Sequence, residues 1–139
     1  MEKKVQHYKD LIVWQRGMQL VKEIYTITKK LPKEEVYGLS NQMRRASVSI
    51  PSNIAEGHIR SGKKEFAQFL SIAAGSRAEL QTQLLICAEI GYLSESDIVN
   101  AMGLSEEVAR MLASLIQKLT PDPYLDLPPE AIQSLTPNH

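Results

Sequence analysis

Residues 63–90 read KKEFAQFLSIAAGSRAELQTQLLICAEI. Phe66, Leu70, Ala73, Arg77, Leu80, Leu84 and Cys87 step along this stretch by 4, 3, 4, 3, 4 and 3, which is one seam of a long α-helix. Every member except Arg77 is apolar or small. A second face carries Ala67, Ser71, Ala74, Ala78, Leu85 and Ala88, and small side chains of this kind let another helix approach closely. Gly75-Ser76 interrupts the run at a cost of up to about 1 kcal/mol against alanine, and a close helix crossing is the expected reason. Gly91 supplies the C-cap.

Three more helices flank this one. Upstream, a helix is expected over about Lys9 to Lys30. Leu11, Trp14, Met18, Val21, Tyr25 and Thr28 form one seam, and Val13, Gly17, Leu20, Ile24, Ile27 and Leu31 form a second. Two seams demand two burial partners: the chain's own core, and a further helix or another subunit. Leu31-Pro32 ends the segment, because a residue before proline avoids the α region. A second helix is expected over Leu39 to Glu56, with Leu39, Met43, Ala46 and Ile50 as its apolar stripe and Asn41, Arg45, Ser49, Ser52 and Glu56 as a polar one. Pro51 falls inside it and predicts a kink or break, since it lacks an N–H and clashes with the Ser47 carbonyl. Asn53 and Glu56 are expected to satisfy the polar groups freed there. Gly57 reads as the C-cap.

The fourth helix starts at Ser94-Glu95-Ser96-Asp97, with Ser94 as N-cap and two early acids, and stops at Thr120-Pro121. Its seams are Ile98, Met102, Ser105, Ala109, Leu112, Ile116 and Leu119, and Ala101, Leu104, Val108, Met111 and Leu115. Short connections between four such segments predict an all-α, antiparallel up-down-up-down four-helix bundle over residues 1–120. Residues 121–139 hold five of the seven prolines and form a Pro-rich C-terminal tail, in which 128–135 has the makings of one short helix.

The whole chain, 139 residues, suits a single domain, and 43% hydrophobic residues suffice for a core. Its formal charge is zero: 16 Lys+Arg against 16 Asp+Glu. The balance hides two blocks. Residues 1–77 hold 14 basic and 7 acidic side chains, and residues 78–139 hold 2 and 9. Either the blocks compensate each other within one bundle, or the basic block is a binding surface. The single cysteine, Cys87, excludes an intrachain disulfide and fits a reducing cytosol. Met1 to Asp10 has no apolar core of a signal peptide, and no apolar run approaches the roughly 20 residues of a membrane span. A cytoplasmic location without a membrane partner is expected.

Catalysis and metal or cofactor binding find no support. His7, His58 and His139 are scattered, no Glu-x-x-His or His-x-x-His pair is present, and Cys87 lies in an apolar seam where an inert thiol is expected. Nucleotide-binding glycine loops and the nucleophile elbow are missing. The richest binding segment is Arg44 to Lys64, where Arg44, Arg45, Arg60, Lys63 and Lys64 face only Glu56. His58 to Lys64 reads as a flexible basic loop opening a helix, an arrangement suited to phosphate; the bland reading is a solvated turn. No aromatic residue lies in that loop, so contacts to a nucleic-acid backbone rather than to bases are expected. Arg77 either pairs with Glu56 or Glu79 or lines the central channel of an oligomer.

Several stretches together carry a resemblance: Tyr8 to Trp14 (YKDLIVW), Tyr37 to Gly57 (YGLSNQMRRASVSIPSNIAEG), Lys64-Glu65-Phe66 with Phe69-Leu70, and Ala74 to Leu80 (AGSRAEL). From about Tyr8 to Leu119 the chain closely resembles the four-helix bundle proteins encoded in intervening sequences of 23S ribosomal RNA genes. The resemblance implies an up-down bundle that assembles as a ring, typically a pentamer, with no known enzymatic activity. More distantly the chain is similar to the accessory proteins of diversity-generating retroelements, which bind a reverse transcriptase and nucleic acid. The expected function is thus that of a non-enzymatic homo-oligomer, a pentamer by resemblance. It binds RNA, or DNA, through Arg44, Arg45, Arg60, Lys63 and Lys64, with Arg77 as an additional contact. The alternative is a scaffold whose basic face docks an acidic partner protein.

Overall fold

A computed structural model describes residues 7–120 and Glu130; apart from Glu130, the expected short helix at 128–135 and the rest of the tail lie outside the described residues. Four helices follow one another: α1 (Ile12–Thr28), α2 (Leu39–Ile59), α3 (Lys63–Glu89) and α4 (Glu95–Leu119). Single 3-10 turns at Tyr8–Asp10 and Lys33–Glu35 precede α1 and α2. Each helix packs on its two neighbours, α1 on α2 and α4, α3 on α2 and α4, and the diagonal pairs stay apart. With connections this short, that is an antiparallel up-down-up-down four-helix bundle.

The seams fill its centre. Val13, Leu20, Ile24 and Ile27 of α1 meet Met43, Ile50 and Ile54 of α2, Leu70, Leu80, Leu84 and Cys87 of α3, and Ile98, Val108 and Leu112 of α4. The other α1 seam lies at the edge, where Met18 and Tyr25 remain 45% and 41% exposed. Both α4 seams reach the chain's own core, since Ala101 and Val108 of the second are as buried as Leu112 of the first. A wide stripe on α4 is therefore satisfied within one chain.

The helix ends follow their capping chemistry. Ser94 and Asp97 form a capping box at α4, the Ser94 hydroxyl accepting from the Asp97 N–H at 3.1 Å and Asp97 accepting from the Ser94 N–H at 2.9 Å. The Ser94 N–H, then Lys30 Nζ at 2.9 Å, hold the Asp97 carboxyl down at about 2, well below the usual carboxylate range. After α3, Gly91 takes φ +85°, and the Tyr92 and Gly91 N–H groups return to the Cys87 and Ala88 carbonyls, a Schellman closure.

Three expectations need correction. Pro51 lies inside α2 without ending it; its ring is buried at the point where α1 passes, with Gly17 opposite Ile50 and Pro51. Gly57 does not cap α2, which runs on to Ile59. It is buried against α3, where an added Cβ would stand 2.5 Å from Phe69 Cβ. The close crossing expected at Gly75 is at Gly57 instead, because Gly75 is exposed and a Cβ added there would have nothing within 4 Å. Among the described residues no helix is long and apolar enough to cross a membrane, and no three His, Cys, Asp or Glu side chains gather as a metal would need.

Candidate nucleic-acid interface

The six candidate cations fall into three places. Arg44 and Arg45 sit early in α2. Arg60, Lys63 and Lys64 surround the turn between α2 and α3, about 22 Å further along the axis at 1.5 Å per residue. Arg77 belongs to neither group.

Arg44 is held rigidly. Its Nε donates to Thr28 Oγ1 at 2.8 Å, and its guanidinium lies over the Tyr25 ring with 4.6 Å to the centroid. Thr28 in turn donates to the Ile24 carbonyl at 2.8 Å. These two contacts tie down the Arg44 side chain and leave its two terminal nitrogens without a hydrogen-bond partner among the described residues. Arg45, one residue on, is exposed and makes no ion pair among those residues. The two arginines line an open groove with Tyr25, Asn41, Val48 and Ser49.

The α2–α3 turn is shorter than the flexible seven-residue loop expected. His58 and Ile59 are helical, so only Arg60, Ser61 and Gly62 connect the helices. Gly62 takes φ +140°, a conformation that favours glycine, and allows the reversal. His58 packs edge-on to Phe66, and Arg60 lies over Phe69 at 5.3 Å. Arg60 also bonds Glu56 at 3.0 Å, so Glu56 serves this surface pair and not the backbone near Pro51. Asn53 does bond backbone near Pro51, at Ser49 rather than at the Ser47 carbonyl that the proline leaves free. Its Nδ2 donates to the Ser49 carbonyl at 2.8 Å and the Ser49 hydroxyl at 2.9 Å, and that hydroxyl meets Ser76 Oγ at 2.7 Å, stitching α2 to α3. Lys63 and Lys64 stand exposed in the first turn of α3 without an ion pair among the described residues. No side chain caps this helix end, so its first N–H groups add to the positive field.

Arg77 pairs with neither Glu56 nor Glu79. Its Nη1 donates to Gln81 Oε1 and, at 3.4 Å, to Ser105 Oγ of α4; Ser105 Oγ also donates to Gln81 Oε1 at 3.0 Å. An amide and a hydroxyl thus take the place of the expected carboxylate, and Arg77 Nε is left buried without a partner.

The compensation between the two charge blocks is real but local. Glu107 of α4 takes Arg16 of α1, and Asp97 takes Lys30, both at 2.9 Å. These two acids of α4 reach α1 and the turn that follows it, and not α2, which lies diagonally opposite.

Against known proteins, the profile of the family described as 23S rRNA-intervening sequence protein matches residues 9–114. The chain belongs to that family. A solved structure of a protein of unknown function from the S23 ribosomal protein family of Bacteroides thetaiotaomicron is 23% identical and superimposes with a TM-score of 0.71. The match covers 76% of this chain and 98% of that one. At that identity the likeness is one of fold. No curated protein matches. Within the family frame, the aromatic element of the surface is the residue that sequence reading passed over: Tyr25 reads as a seam residue by spacing, and only the packing of α1 on α2 places it beside Arg44.

Proposed function

We propose that this member of the 23S rRNA-intervening sequence protein family is a non-enzymatic, cytoplasmic nucleic-acid-binding bundle, acting on RNA first, and that it works as a homo-oligomer. The observation that carries this reading is the distribution of ion pairs. Of the five cations between Arg44 and Lys64, only Arg60 has a carboxylate partner among the described residues, and that partner, Glu56, is its neighbour one turn back. Two acids of α4 pair with Arg16 of α1 and with Lys30 just beyond it, and among the described residues none pairs with a cation of α2. A surface of this kind attracts phosphate by charge and by counterion release.

Self-association has its own support in exposed apolar surface. Ile72 and Ile86 lie on one face of α3, continued by Ile90 at its C-cap, and each is more than two-fifths exposed. A pentameric ring is the assembly implied by the family resemblance. Repetition of the basic surface around such a ring would convert modest single contacts into avid binding.

The test is an electrophoretic shift with a structured RNA hairpin at low salt, alongside native mass measurement. The expected result is binding by an oligomer, weakened roughly tenfold or more in the triple variant Arg45→Glu, Lys63→Glu, Lys64→Glu. An RNA that does not shift at low salt, with an acidic protein co-purifying on the same face, would overturn the reading in favour of a docking scaffold.

A further inference from the structure

We propose that the groove between α1 and α2 holds one unpaired nucleotide, its base stacked on the face of the Tyr25 ring that Arg44 leaves free and its phosphate on Arg44 and Arg45. This rests on the nucleic-acid reading above and adds to it a chemical class: a single-stranded segment with a splayed-out base, not a duplex held by its backbone alone.

Four observations converge on this groove. First, its volume of about 480 Å³ falls within the ~300–1,000 Å³ of small-ligand sites. Second, it joins the two chemistries a nucleotide needs. Tyr25, 41% exposed, and Val48, 40% exposed, give it an apolar wall that the bundle core does not use. Arg44 and Arg45 give it two positive charges. Third, Arg44 is preorganised. With Nε bonded to Thr28 and its guanidinium carbon over Tyr25, the terminal nitrogens of the fork are presented without a partner among the described residues. A phosphate accepts from such a fork in bidentate fashion, and a base stacks on an aromatic ring or on a guanidinium plane. Fourth, no acidic side chain lines the groove, whereas the adjoining groove between α2 and α3, which shares Asn41, Arg45 and Ser49, carries Glu79. An anion is thereby favoured on the α1 side of α2. Asn41, exposed at the rim, offers an amide to the edge of a base.

The experiment uses the full chain and a ten-nucleotide single-stranded RNA carrying one 2-aminopurine, with the same sequence as DNA and as an RNA duplex. Stacking on Tyr25 predicts quenching of 2-aminopurine fluorescence on binding and a preference for the single strand over the duplex. Tyr25→Ala is expected to weaken single-strand binding at least ~5-fold and to abolish the quenching, and Tyr25→Phe to preserve both. Arg44→Lys, which keeps the charge but loses the planar fork, is expected to weaken binding without abolishing the quenching. Equal effects on the RNA and DNA strands assign recognition to base and phosphate; a loss confined to RNA adds the ribose hydroxyl. Native mass and thermal melting of each variant confirm that it is folded and assembled. The subsite is overturned, and the broader reading left standing, if Tyr25→Ala binds and quenches like the parent while the Arg45, Lys63 and Lys64 triple variant is impaired. It is equally overturned if Tyr25→Ala changes the oligomeric mass rather than the affinity, which would make Tyr25 a subunit contact. Failure of every oligonucleotide to bind overturns both proposals.

Discussion

Two glycines, one in α2 and one in α3, should respond in opposite directions to the same substitution. Replacing glycine by alanine inside a helix gains about 1 kcal/mol of intrinsic propensity. At Gly75 nothing stands within 4 Å of the added methyl, so Gly75→Ala should keep most of that gain. At Gly57 the methyl would lie 2.5 Å from Phe69 Cβ, 3.1 Å from Phe66 Cδ1 and 3.3 Å from Phe69 Cγ. Carbon atoms in contact settle at about 3.5–4.0 Å, so the helices must part by roughly 1 Å. Phe69 Cβ is fixed to its backbone and no rotamer change removes it. Overpacking of this kind costs about 1–3 kcal/mol, and a backbone-fixed clash belongs at the upper end. After the propensity gain, Gly57→Ala should lose about 2 kcal/mol. Urea unfolding at one fixed protein concentration measures both. With a slope of about 1–3 kcal/mol/M, the Gly57→Ala midpoint should fall by roughly 1 M while that of Gly75→Ala rises. A Gly57→Ala midpoint at or above the parent's would refute the close α2–α3 approach.

Other consequences are as direct. Asp97 has its folded pKa depressed to about 2, so its contribution to stability is present above the unfolded value near 4 and is lost as pH falls from about 4 to 2. Over that interval the parent should lose more stability than Asp97→Asn, and parallel acid-unfolding curves would contradict the capping-box account. The Cys87 thiol is fully buried; burial first, and the Glu35 charge second, push its pKa up to about 11. It should resist a disulfide reagent at pH 8 in the native protein and react at once in denaturant, and fast native labelling would sink this. Arg77→Met should change stability by less than about 1 kcal/mol, because Ser105 and Gln81 keep their mutual bond and an unpartnered buried Nε is removed. The same variant should leave RNA affinity unaltered in a binding titration.

The bundle was legible because its periodicities are long: the α3 seam runs from Phe66 to Cys87, and Ser94, Gly91 and Pro32 punctuate the helix ends by local chemistry that needs no tertiary partner. What local chemistry could not decide was where a feature is answered across helices. Gly57 looks like a stop signal in isolation, yet its reason is Phe69, twelve residues away on the next helix. Gly75 looks like a crossing point and meets nothing. Pro51 looks like a break and is accommodated beside Gly17. Arg77 needs a partner by any rule of burial; the amide, Gln81, stands one turn on in α3 itself, whereas the hydroxyl, Ser105, depends on which face of α4 comes opposite. The candidate surface followed the same division. Its cations were visible as a cluster in sequence, whereas their split into two groups, and the aromatic neighbour of Arg44, depend on the packing of α1 on α2 and on the length of the α2–α3 turn.

The unneutralised side of the bundle should bind nucleic-acid phosphate. This is tested most directly by the slope of log affinity against log salt for a single-stranded RNA, measured by fluorescence anisotropy on the parent and on Arg45→Glu, Lys63→Glu, Lys64→Glu. Each phosphate neutralised contributes about −0.7 to the slope for a single strand. A linear fall is expected in the parent, and a slope shallower by about 2 per subunit in the variant. Affinity that ignores salt, or an identical slope in parent and variant, would contradict it.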